Sequence, residues 1–151
     1  MKIIFEPVEK SQLLSKFQEV AQKYNTQIRQ HDTGEGHFIF VRSRIKISEK
    51  VRNGIYSIHV WGAKEEDLNL LKQIWGEPSQ VLKERLTPQE FANGLADFPS
   101  DEILSKNEII QTLDITEGEF NQFIRFIERI VRRPNAPLEM KKAYEILKRV
   151  Q

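Results

Sequence analysis

The hydrophobic residues of this chain change period along its length. In "HFIFV", Phe38 and Phe40 share one face while Ile39 and Val41 share the other, and in "IYSIHVW" Tyr56, Ile58 and Val60 alternate with Ser57 and His59. Elsewhere the spacing is three and four, as in Leu13, Leu14, Phe17, Val20, Ala21 and Tyr24, or Leu68, Leu71, Ile74 and Trp75. A two-residue period belongs to strands and a three-and-four spacing to helices. Strand patterns are confined to the first half, and beyond residue 80 almost every start signal is helical. The fold class is therefore α+β.

Taken in order, Lys2 to Phe5 is a short β-rich run closed by Pro7, and "KSQLLSKFQEVAQKYN" is an amphipathic helix. "TQIRQ" and "HFIFVRSRIKI" follow as strands, the second running from the centre of a sheet to its edge. Asn53-Gly54 supplies the two positive φ values of a tight hairpin turn into the next strand. A helix from Lys64 to Trp75 ends at Gly76 and Pro78. Residues 1–78 are thus an N-terminal antiparallel sheet with two helices, in the order β-α-β-β-β-α. "GEPSQ" is a boundary, and 79–151 form a small all-helical C-terminal module. The alternatives are one continuous domain, and a further strand from residues 79–86.

The helical half is written in caps. Thr87 with Glu90, Ser105 with Glu108, and Thr116 with Glu119 each place a hydroxyl three residues before a carboxylate, the spacing of a capping box. Pro137 opens a last helix through Lys148. Between Lys106 and Phe126, Ile109, Ile110 and Leu113 form one apolar stripe, Ile115 plugs a turn, and Phe120 and Phe123 start another. This resembles the helix–turn–helix motif. Asp114 stands where that motif usually has glycine, and the second helix begins Glu117-Gly118-Glu119, which would turn carboxylates toward phosphates. The expectation is a corner between packed helices.

Charge is segregated, although the chain as a whole has 23 basic and 22 acidic residues. From Glu84 to Phe120 nine acids face two bases, and from Asn121 to Gln151 eight bases face three acids. Arg125, Arg129, Arg132 and Arg133 fall opposite the stripe of Phe120, Phe123, Ile124, Ile127, Ile130 and Val131. With Lys141 and Lys142 they are the candidate binding residues, for an acidic protein or for phosphates. Folding can instead pair the two blocks internally. Arg42, Arg44 and Lys46 alternate in "VRSRIKI" and either extend that surface or guard a sheet edge.

Other chemistry has little support. There is no cysteine, so disulfides, thiolate nucleophiles and cysteine metal sites are excluded. His31, Asp32, Glu35 and His37 in "HDTGEGH" are donors of metal-ligand type, but the glycines and Asp-Thr-Gly read as turn chemistry. His59 is a general base only if a carboxylate such as Asp32 lies beside it. No glycine-rich phosphate loop and no nucleophile elbow is present, so no catalytic residue, metal or cofactor is expected.

"MKIIFEPVEK" has neither the apolar run nor the cleavage site of a secretory signal, and no stretch is apolar enough to span a membrane. The expected protein is a non-enzymatic cytosolic interaction or regulatory protein. Its partner is a protein met by the arginines and by exposed aromatics such as Trp61, Trp75 or Phe126. The alternative is nucleic acid, and a homodimer is left open.

Overall fold

Asn53 and Gly54 hold φ values of 53° and 76°, the two left-handed positions of a type I′ turn. They join β4 (Ile45–Arg52) to β5 (Ile55–Trp61), whose first pair across the turn is Arg52 with Ile55. A computed structural model of the chain describes residues 1–30, 36–42, 44–82, 85–99 and 102–150. It divides into two units, Met1–Lys83 and Glu84–Gln151.

In the first unit β1 (Lys2–Phe5), β2 (Arg29–Gln30), β3 (His37–Val41) and β6 (Gln80–Leu82) complete a sheet of order β2-β3-β4-β5-β1-β6. Every pairing is antiparallel. Two helices, α1 (Lys10–Lys23) and α2 (Glu65–Trp75), bury Leu13, Phe17, Val20, Leu68, Leu71 and Ile74. These pack with Ile3, Phe5, Ile39, Ile45, Ile47, Ile58 and Val60. Those sheet residues share one face because alternate positions of each strand point the same way. Each such side chain withdrawn from water contributes about 1.5–3 kcal/mol.

Two details of the sheet differ from the sequence expectation. "HFIFVRSRIKI" is two strands, because the chain reverses between Val41 and Ile45, where the Arg44 N–H donates to the Val41 carbonyl at 3.1 Å. Its cations therefore share no strand face: Arg42 and Arg44 lie in the turn, and Lys46 is a fully buried β4 residue. The second difference is β6. It pairs with β1 through Ile3 and Val81, which is the further strand named for residues 79–86.

The second unit consists, among the described residues, of α3 (Pro88–Ala96), α4 (Lys106–Leu113), α5 (Glu117–Val131) and α6 (Leu138–Leu147). Phe91 of α3 is fully buried, with the Phe123 ring 4.9 Å away and the Phe120 ring edge-on at 6.0 Å. Helix α3 packs on α4, α5 and α6, and α5 packs on α6. The fold class is α+β, as expected. Among the described residues no helix is long and apolar enough to cross a membrane.

Candidate functional site

Helix α5 is laid down by its own sequence. Thr116 caps it by accepting from the Glu119 N–H at 3.1 Å, and the Glu119 carboxylate in turn accepts from the Thr116 N–H at 3.1 Å. Phe120, Phe123 and Ile127 are buried. Arg125, Arg129 and Arg132 then fall within an arc of about 60° on the opposite side and cover about 10 Å of axis. All three are exposed, as is Arg133 just beyond. Their position at the end of α5 also suits the helix dipole, whose C-terminal end is negative.

Helix α6, which packs on α5, carries the other two candidate cations. The connection is pinned by Ala136, which is buried and donates its N–H to the Arg133 carbonyl at 3.3 Å. Met140, Ala143 and Ile146 face inward, leaving Leu138, Lys141 and Lys142 exposed. Among the described residues, none of the six candidate cations enters an ion pair or side-chain hydrogen bond. Lys148, by contrast, is 3.2 Å from Glu145.

None of the described acids of the preceding block pairs with these cations, and several are engaged elsewhere. Glu90, Glu108 and Glu119 accept from the backbone N–H groups of Thr87, Ser105 and Thr116. Asp97 is buried. Glu117 meets the Lys106 ammonium at 2.6 Å, and that hydrogen bond and charge hold its carboxyl below the usual range.

The α4–α5 corner turns as expected, with Asp114 left-handed at φ 56°, ψ 53° and Ile115 buried beneath it. Lys106 bridges the corner, its ammonium also lying 5.5 Å from the Phe120 ring centre. The start of α5 thus presents Glu117 paired within the fold, not a row of donors for phosphate.

The aromatics expected at a contact surface are not all available. Trp61 is 2% exposed, on interior strand β5, with the Lys2 ammonium 4.1 Å from its ring. Trp75 is half-buried against Phe5 and Phe17, at 5.7 and 5.6 Å between ring centres. Phe126 is half-buried at the margin of the α5 stripe.

A second cluster, in the first unit, was not foreseen from sequence. Asp67, 3% exposed in the first turn of α2, accepts from the Tyr24 hydroxyl at 2.6 Å, from Arg44 Nη2 at 3.1 Å and from the Lys64 N–H at 2.9 Å. It lies under a cleft of about 440 Å³ lined by Lys23, Tyr24, Asn25, Arg44, Glu66, Asp67 and Leu70. Burial first, and then the hydrogen bond to Asp67, raise the Tyr24 phenol above its usual range. With both carboxylate oxygens accepting bonds, the cluster ties the end of α1 and the β3–β4 turn to the start of α2. The arrangement is a clamp.

Among the described residues no group of three or more His, Asp or Glu side chains is arranged to hold a metal ion. His31, Asp32 and Glu35 lie outside the described residues. His37 Nδ1 is 3.5 Å from Glu49 Oε1 across the strand pair, and His59 is half-buried opposite Ile4 and Ser48. Comparison with protein-family models, curated proteins and solved structures finds no match. The fold and the surface chemistry carry the functional argument.

Proposed function

We propose that this chain is a non-enzymatic cytosolic interaction or regulatory protein that binds an anionic macromolecular partner through the exposed cations of α5 and α6. One observation carries the reading. Arg125, Arg129, Arg132, Arg133, Lys141 and Lys142 are exposed and, among the described residues, unpaired, while acids of the preceding block are engaged as caps and in the Lys106 pair. Guanidinium groups bind carboxylates and phosphates in two-pronged fashion and keep their charge at all relevant pH values. A protein partner is favoured over nucleic acid. Glu117 and Glu119 stand at the start of α5, and the large aromatics on which unpaired bases stack are buried or half-buried.

The test is fluorescence anisotropy with labelled poly-glutamate, a DNA duplex and a single-stranded oligonucleotide, at low and at physiological salt. The variant Arg125→Ala, Arg129→Ala, Arg132→Ala, Arg133→Ala is run alongside. The reading expects an anionic probe to bind, to weaken with salt, and to lose on the order of tenfold affinity in the variant. Absence of binding at low salt, or equal binding by the variant, contradicts it.

A further inference from the structure

We propose that the partner is a protein segment both acidic and apolar, and that Leu138 is the point where its apolar side chains seat. This rests on the reading of the basic surface above and adds to it what kind of anion is recognised.

Leu138 is 61% exposed, the most exposed large hydrophobic residue among those described. A single leucine in water needs no explanation by itself. Its surroundings set it apart. It is the first residue of α6, with Pro137 fixing the backbone before it and buried Ala136 anchoring the approach. Lys141 and Lys142 follow at three and four residues, so they flank Leu138 on its two sides, each about 5–6 Å from it at the Cβ atoms. Arg132 and Arg133 precede it at the end of α5, where the chain turns through the Arg133 N–H to Ile130 carbonyl bond of 3.0 Å.

An apolar side chain is thus held beside two exposed cations of its own helix, with two more five and six residues before it in the chain. Glu139 and Glu145 are the acids of the same helix, and Glu145 is paired with Lys148.

The two classes of anion treat such a place differently. A phosphate backbone gains nothing from an aliphatic side chain and loses hydration beside it. A peptide that alternates carboxylates with Leu or Phe reaches the cations and covers Leu138 together with the aliphatic stems of the lysines and arginines. The i, i+4, i+7 spacing of Arg125, Arg129 and Arg132 repeats at the rise of any α-helix. Carboxylates at the same spacing on a partner helix therefore stay in register with it. An acidic amphipathic helix fits both features.

Two synthetic helical peptides distinguish the cases: one with glutamates at i, i+4, i+7 and leucines beside them, and one with the same glutamates and serines for the leucines. Their binding is measured by the full-length chain, Leu138→Ser and Leu138→Met, with a DNA duplex as competitor. Thermal melts of the variants check that they are folded.

The proposal expects the leucine peptide to bind about tenfold tighter than the serine peptide. Leu138→Ser should remove that preference and Leu138→Met should keep it. Equal binding of the two peptides, or a preference that survives Leu138→Ser, overturns the apolar seat while leaving the basic surface standing. So does a duplex that displaces the leucine peptide at lower concentration than the serine peptide does. If no anionic probe binds the wild-type chain, this inference and the functional reading fall together.

Discussion

The three contacts of Asp67 decide what Tyr24 and Arg44 do. A carboxylate that buried is costly unless its oxygens accept hydrogen bonds, and Tyr24, Arg44 and the Lys64 N–H supply them. The Tyr24 phenol is raised above its ordinary pKa of about 10 because burial disfavours the phenolate, and because ionising it would also give up the hydrogen bond to Asp67 and set a second negative charge beside it. A group whose folded pKa is raised contributes its stability in full below the unfolded pKa and loses it as pH climbs through the folded one. Tyr24→Phe should therefore cost about 1–2 kcal/mol at neutral pH. The gap between wild type and variant, read from urea midpoints, should hold up to about pH 10 and close above it. A gap that is unchanged in strong alkali would contradict the assignment. Nothing in the sequence announced this cluster, since its side chains come from positions 43 and 23 residues apart and only the folded sheet brings them together. The arginines of α5 were legible because their spacing is local.

Elements are where the sequence spoke most clearly, through caps and turns. Thr87, Ser105 and Thr116 each form the reciprocal bonds that their spacing implies. Thr116→Ala should lower stability by about 1 kcal/mol in thermal or urea melts, and an unchanged midpoint would contradict the role of that cap. Asn53-Gly54 is equally direct. A Cβ added at Gly54 meets nothing within 4 Å, so Gly54→Ala should cost about 1 kcal/mol through the left-handed backbone alone. The same melts test it, and a neutral result would mean that the turn relaxes to another form. The β3–β4 turn was missed for a physical reason: "VRSRI" has no glycine, proline, asparagine or aspartate, and its alternation mimics a continuous strand. Strand β6 is three residues long, too short for its period to separate it from a loop.

Across the whole molecule the formal net charge is +1, which hides a segregation visible only along the chain. The α+β class follows from the change of period, and the buried faces of both units follow from apolar spacing. What sequence left open was whether the acidic and basic blocks cancel. Among the described residues the six candidate cations are not paired ion by ion with the acidic block, and Glu90, Glu108 and Glu119 hold helix N-termini instead. Binding should then follow local charge and not the total. The sequence pI is about 7.9, so the net charge changes sign above it while guanidinium groups stay charged. Poly-glutamate affinity should persist from mildly acidic pH to well above the pI, whereas a loss that tracks net charge would point to a diffuse field as its origin.

The central claim is that the α5–α6 surface is where an anionic partner sits, and mapping backbone amide shifts by NMR during a titration with poly-glutamate tests it most directly. The account predicts shifts concentrated between Arg125 and Lys142, fading as salt is raised. Shifts centred in Met1–Lys83, or none at low salt, would contradict it.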